Sequence, residues 1–378
     1  KMALKGLKVV ELGGLAPAPY CGMILADFGA TVTRISKIGE RIDSDSLANG
    51  KKMIAINLKS PKGVEIVRKL CKKSDVLIDP FRAGVMEKLS LGPNVLLEDN
   101  KKLIYARLTG FGQSGCYSTM AGHDINYVSV TGLLSLLGRS NEKPAVPANL
   151  IADFGGGGLM CAFGILAALH ERTFSGQGQV IDANMVEGSA YLGSWIYRTQ
   201  NMPFWGQPRG QNMLDGGVHF YDTYKTKDNK YMAVGAIEPH FYAILLKGLG
   251  LSEETVPQWE DAGKEIFTQK FLEKTQEEWC RVFDRTDACV TPVLSIEEAA
   301  NHPHNAKRNT FVRTVDNIPA PNAAPRLSRT PAVTLASQTL PGRAKDTVDI
   351  LTALEYSTKD IQQMGADGIV EIHQQSKF

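Results

Sequence analysis

The N-terminal half of the chain alternates short apolar runs with helical patterns. Leu7 to Leu12 (Leu-Lys-Val-Val-Glu-Leu) is a β-branched run of the kind that a strand buried on both faces carries. Gly13-Gly14 breaks it, Pro17 opens a helical pattern that ends at Gly29, and Thr31 to Ile35 predicts a second strand. One β-α-β unit is thereby outlined, the element of a parallel sheet covered by helices. The alternation continues with a strand over Met53 to Leu58, Ser60 as N-cap with Pro61 at the first helical position, a helix to Lys73, and strands over Val76 to Ile78 and Leu103 to Leu108. Asp124 is expected to cap a helix running to about Leu137, and a long helix to follow Asp153. A strand over Val180 to Ala183 and a helix from near Asn184 close the series. After about residue 200 the pattern changes. Phe220–Tyr224 and Tyr231–Gly235 flank Lys227-Asp228-Asn229-Lys230 as a hairpin, Pro239 starts a helix, Ser295-Ile296-Glu297-Glu298 reads as a capping box, and Pro319, Pro321 and Pro325 mark an extended segment. A large α/β domain followed by a smaller α+β domain is the expected fold.

Composition narrows the function more than the fold. At 378 residues, 43% hydrophobic and 22% charged, the chain is an ordinary globular sequence. Its 42 basic and 40 acidic residues include no basic run, so nucleic-acid binding is not expected and any cationic site must be local. The six cysteines are widely spaced without a C-x-x-C, which predicts buried free thiols rather than zinc or disulfides. The longest apolar run, Phe154 to Leu169, falls short of the ~20 residues that cross a bilayer, so no membrane span is expected. The opening residues carry neither a secretory h-region nor a transit-peptide bias, and the final Ser376-Lys377-Phe378 lies one residue from a peroxisomal address.

The first turn lacks G-x-G-x-x-G, and the second strand is followed by Lys37 where a ribose-binding acid would stand, so a nicotinamide site is excluded. P-loop, nucleophile-elbow and H-E-x-x-H motifs are missing. Two loop-to-helix junctions are more informative. In Gly122-His123-Asp124-Ile125-Asn126-Tyr127 a histidine sits beside a helix cap, either projecting into a cleft or simply resting on the surface. In Asp153-Phe154-Gly155-Gly156-Gly157-Gly158 an acid opens a helix whose first turn has no side chains. Helix interiors disfavour glycine by ~1 kcal/mol each, so something lies close to this backbone, a ligand or another helix. Free N–H groups there would hold a developing oxyanion.

The strings Ala26-Asp27-Phe28-Gly29-Ala30, Phe81-Arg82-Ala83-Gly84-Val85, Leu108-Thr109-Gly110-Phe111-Gly112-Gln113, Gly122-His123-Asp124-Ile125-Asn126-Tyr127, Ala152-Asp153-Phe154, Asp182-Ala183-Asn184-Met185 and Asn212-Met213-Leu214-Asp215-Gly216-Gly217 together resemble the family III CoA-transferase superfamily over nearly the whole chain. The pairing of Gly122-His123-Asp124 with Leu214-Asp215-Gly216-Gly217 resembles its racemase branch. The resemblance implies a Rossmann-like parallel-sheet large domain plus a smaller α+β domain in an interlocked homodimer. Residues 1–200 would form the CoA-binding α/β domain, 201–325 the small domain with its linkers, and 326–378 a segment returning to the large domain.

The activity implied is interconversion of (2R)- and (2S)-2-methylacyl-CoA thioesters by 1,1-proton transfer through an enolate, in branched-chain fatty acid or bile acid precursor metabolism. By resemblance, His123, assisted by Glu238 from the small domain, is one acid/base and Asp153 the other. CoA contacts map onto Lys37, Ile56, Asn57, Leu58 and Lys59, onto Gly122, Asp124, Ile125, Asn126 and Tyr127, and onto Lys88. Met185 and Met213 are either part of an adaptable acyl surface or core. CoA belongs to the substrate, and neither a metal nor a further cofactor is expected. The family setting is the peroxisome and the mitochondrion. Arg34-Ile35-Ser36-Lys37-Ile38-Gly39 replaces the family's Arg-Val-Asp-Arg-Pro-Gly, and Asn57 a common aspartate, which leaves the nucleotide contacts open. The alternatives are a CoA-transferase with Asp153 as nucleophile and a non-catalytic acyl-CoA carrier.

Overall fold

A computed structural model describes residues 2–39, 45–260 and 262–373; the Ser376-Lys377-Phe378 ending lies outside them. The strands in chain order are Lys8–Leu12 (β1), Thr31–Ser36 (β2), Lys52–Ile56 (β3), Val76–Asp79 (β4), Ile104–Thr109 (β5), Val180–Asn184 (β6), Tyr221–Lys225 (β7), Tyr231–Gly235 (β8), Val290–Pro292 (β9), Phe311–Arg313 (β10), Pro319–Pro321 (β11) and Val370–Glu371 (β12). The chain divides into two compact units, residues 1–131 with 148–192 and 303–378, and residues 132–147 with 193–302.

The first unit is built on a seven-stranded sheet of order β12-β3-β2-β1-β4-β5-β6, parallel except for β12. Strand side chains alternate between two apolar layers. Val10, Leu77 and Tyr105 face the helix Pro61–Lys72 and the C-terminal residues Ile350, Leu351 and Met364. Val9, Val76, Ile78 and Ala106 face the helices Pro17–Asp27 (α1) and Met160–Ser175. Both faces are covered, which is why the strands read as continuous apolar runs. The strand order reverses between β1 and β4, and in open α/β sheets ligands bind outside the carboxyl ends of the strands at such a point.

Within the second unit, β7, β8 and β9 form an antiparallel sheet packed on the helix Pro239–Leu249, with Trp279, Phe267 and Tyr242 in its core. The hairpin expected over 220–235 is β7–β8.

Three expectations are corrected. The N-cap of the helix Asp124–Val130 (α2) is His123, in extended conformation, and Asp124 is its first helical residue. This helix stops at Val130 rather than near Leu137, because Gly132 adopts φ 81°, a left-handed stop, before the 3-10 turn Leu133–Leu136. The long helix starts at Leu150, ahead of Asp153, and its first ten residues, Leu150–Leu159, are wound as a π-helix leading into Met160–Ser175 (α3). At 26 residues, the helix Leu150–Ser175 is long and apolar enough to cross a membrane by length and composition alone, a test that the core helix of a folded domain also passes. In the fold it packs Cys161, Ala162, Ile165 and Ala168 into the sheet layer. Of the cysteines, Cys21, Cys71 and Cys161 are buried as expected, while Cys116 and Cys289 are exposed.

Candidate active site

The carboxyl ends of β1, β4 and β5 open into a cavity of about 850 Å³ within the first unit. Its walls come from Gly14–Tyr20 after β1, Pro80 and Arg82 after β4, Leu108–Phe111 at the end of β5, Met185 after β6, and both helix starts, Gly122, His123 and Tyr127 on one side and Asn149, Leu150, Asp153 and Phe154 on the other. A second cavity of about 550 Å³ lies over the ends of β2 and β3, lined by Arg34, Ser36, Lys37, Ile56, Asn57, Leu58 and Lys59. Gly14 and Leu15 line both, so the two adjoin at the turn after β1.

The glycine run is explained by helix packing. A Cβ on Gly156 would stand 2.5 Å from the Ser189 nitrogen, and one on Gly158 2.7 Å from the Pro17 carbonyl oxygen. The helix Met185–Leu192 (α4) reciprocates, since a Cβ on Gly188 would stand 1.8 Å from the Gly156 oxygen. Such close backbone contact seats the start of the long helix between α1 and α4 and thereby places Asp153 at the cavity wall.

Asp153 is buried, and its surroundings decide its proton affinity. Burial raises its carboxyl above the usual range, the like charge of Asp124 adds to that, and the Asn149 amide and His123 oppose it. The Asn149 Nδ2 donates to Asp153 Oδ2 at 2.9 Å from a left-handed backbone, φ 62°. His123 is solvent-exposed and fixed through its backbone: its N–H donates to Asn126 Oδ1 at 3.0 Å, and its carbonyl accepts from Asn126 N at 2.8 Å. Tyr127 is buried, donates its hydroxyl to the Gly122 carbonyl, and has its phenol raised by burial and by Asp153.

The oxyanion assignment at the start of the long helix needs revision. The N–H groups of Ala152 and Asp153 both donate to Asp124 Oδ2, at 2.6 and 2.9 Å. They are therefore already occupied by a residue of this chain.

The residues named from the sequence sort into groups. His123, Asp153, Gly122 and Tyr127 line the larger cavity, and Lys37, Ile56, Asn57, Leu58 and Lys59 the smaller. Asp124, Ile125, Asn126 and Lys88 line neither. Asp124 is 1% exposed with its carboxylate turned to Ala152 and Asp153, and Asn126 closes the backbone turn of His123. Met185 reaches the larger cavity, whereas Met213 packs on the core of the second unit. Glu238 is the N-cap of Pro239–Leu249 in the second unit.

Sequence reasoning missed a buried set of charges beneath the cavities. Glu11 accepts from Arg34 Nη1 and from Lys51 Nζ, each at 2.8 Å, and Asp45 pairs with Arg34 Nε at 3.2 Å. Gly22 lies so close that a Cβ there would stand 1.8 Å from Glu11 Oε2. Two cations against two anions make the group neutral, as buried charges require. Arg34 lines the smaller cavity and Asp45 the larger, so this set fixes one wall of each. The only trace in the sequence is Glu11 inside an otherwise apolar strand run.

The comparisons agree with this architecture. The pattern of CoA-transferase family III matches residues 4–347. The chain is similar to the alpha-methylacyl-CoA racemase of Mus musculus, 56% identical over 376 residues, and to that of Homo sapiens, 53% identical, with 98% of this chain and of the relative covered in each case. In fold it is similar to a CAIB/BAIF family protein from Brucella suis, with a TM-score of 0.78 over 93% of this chain and 99% of that one at 23% identity. A sheet with its cavities at the strand-order reversal, two helix starts facing one cavity, and a matching pattern over most of its length have a single classification: the chain belongs to CoA-transferase family III.

Proposed function

We propose that this chain is an α-methylacyl-CoA racemase, interconverting the (2R) and (2S) epimers of 2-methylacyl-CoA thioesters by 1,1-proton transfer. The observation that carries the reading is the placement of His123 and Asp153 on separate helix starts facing one cavity, in a chain more than half identical to two racemases. The thioester carbonyl acidifies the α-hydrogen, and inversion needs one group to take that proton from one face while another supplies a proton to the opposite face. His123 and Asp153 fill these roles and exchange them with the direction of reaction. A carboxyl raised by burial suits the task, since it can hold a proton as well as accept one. Glu238 keeps the assisting role that the family resemblance gives it.

The apolar wall of Leu15, Phe111, Met120, Phe154 and Met185 suits a branched acyl chain, and Lys37 and Lys59 at the adjoining cavity suit the phosphates of CoA. Holding the remote nucleotide helps to fix the α-carbon between the two groups. We also propose a homodimer. It is supported by an exposed apolar face on the first unit, where Leu159, Phe163, Leu166 and Phe174 of the long helix lie on the same unit as Val180 of edge strand β6.

Proton NMR of one 2-methylacyl-CoA epimer in D₂O, without an acceptor acid, tests the activity. Loss of the α-hydrogen signal with both epimers appearing is expected. A retained signal, with CoA exchange once a free acid is added, would reassign Asp153 as a nucleophile.

A further inference from the structure

We infer that Asp124 is a positioning residue, whose carboxylate straps the start of the Asp153 helix to the start of the His123 helix. The inference rests on the proton-transfer reading above. Asp124 is 1% exposed and lines neither cavity, so it is not placed to touch substrate. It is the first residue of α2, directly after His123, and through Oδ2 it accepts from the backbone N–H groups of Ala152 and Asp153, 28 and 29 residues away. Its Oδ1 is buried with no hydrogen-bond partner.

A desolvated carboxylate with one unsatisfied oxygen is expensive, and its other oxygen offsets part of that cost by satisfying the two N–H groups. A neutral acceptor would serve those N–H groups at a lower desolvation cost, so capping alone does not call for a carboxylate. Catalysis does, because a misplacement of ~1 Å between reacting groups costs ~10²-fold in rate. One carboxylate bonded to both helix starts lets neither slide without the other.

The same charge acts on Asp153. Burial is the main cause that raises the Asp153 carboxyl; Asn149 from its own helix start lowers it, Asp124 adds to the rise, and His123 from the cap of α2 opposes it. Tyr127 of α2 feels the Asp153 charge in turn. The helices packed against this segment bring Tyr20, Cys21 and Asp27 from α1, and Glu187 and Tyr191 from α4. Removing the Asp124 charge thus makes Asp153 a stronger acid.

The test compares Asp124→Asn and Asp124→Ala with the parent, following epimer interconversion of a 2-methylacyl-CoA against pH. Asparagine keeps an oxygen for the two N–H groups and removes the charge. Its acidic limb in kcat/KM is expected to move to lower pH, because the Asp153 carboxyl loses its proton earlier. Alanine removes the strap as well, and kcat is expected to fall ~10²-fold with KM little changed. A pH profile for Asp124→Asn that overlays the parent, or an effect of either variant on KM alone, overturns the inference. Should Asp124→Ala fail to fold by circular dichroism, the Asp124→Asn profile decides. Absence of α-hydrogen exchange by the parent would sink the proton-transfer reading and this inference with it, whereas an exchanging parent with an unmoved variant profile sinks this inference alone.

Discussion

Asp153 illustrates how one side chain takes its chemistry from its neighbours. Burial and Asp124 push its carboxyl up, and Asn149 and His123 pull it back toward ionisation. Asp153→Asn cannot exchange a proton, and epimer interconversion should drop by at least ~10²-fold in the D₂O experiment. Retention of turnover within a few-fold would reject the assignment. A second residue, Asp27, has a consequence for stability. Burial pushes its carboxyl up to about 6 from 3.8, while it accepts the Leu335 N–H at 2.9 Å. A carboxyl held above its unfolded value stabilises the fold fully at low pH and loses that contribution as the pH rises through about 6. Asp27→Asn keeps an acceptor without the charge. It should therefore melt higher than the parent at pH 7.5 by ~2–4 °C, with the gain shrinking toward pH 4. Thermal melts across that range check it, and a pH-independent difference would contradict it. At this scale the sequence was partly readable. His123 and Asp153 stood at recognisable helix starts, but the role of Asp124 depends on N–H groups 28 and 29 residues away, which no local pattern encodes.

At the scale of elements, β1 to β5 were legible because each is a short apolar run buried on both faces, bounded by glycine, proline or charge. Helix limits were less so. Gly132 ended α2 about two turns early, and the π-wound start of the long helix reflects its seating between α1 and α4 rather than any propensity of its residues. The four consecutive glycines left a ligand and a helix equally open, and the Gly156–Gly188 approach decides for the helix. Two alanine substitutions separate this packing from ordinary helix propensity. Gly188→Ala puts a methyl 1.8 Å from the Gly156 oxygen and should cost ~3 kcal/mol or more. Gly164→Ala meets nothing closer than Ile181 at 3.5 Å, inside α3, and should stabilise by ~0.5–1 kcal/mol. Denaturant unfolding measures both. Equal effects would mean that the contact between helices is not what demands glycine.

For the whole molecule, the apolar face on the first unit sets the expected assembly. Sedimentation velocity at micromolar concentration should show a dimer, and Phe163→Glu combined with Leu166→Glu should shift it toward the monomer. A parent that sediments as a monomer with full activity would remove the dimer from the account. Strand β12 carries another consequence. It pairs Val370 with Ile56 and Glu371 with Ala55, so the sheet edge beside Ile56 to Lys59 is covered by residues that follow the whole second unit in the chain. On the ribosome, β3 must wait uncovered while the entire second unit and the returning segment are synthesised. The sheet edge beside the smaller cavity is thus closed only after the second unit has been made, and a chain terminated before Val370 would leave the ribosome with an open sheet edge, a natural point for chaperone capture or self-association.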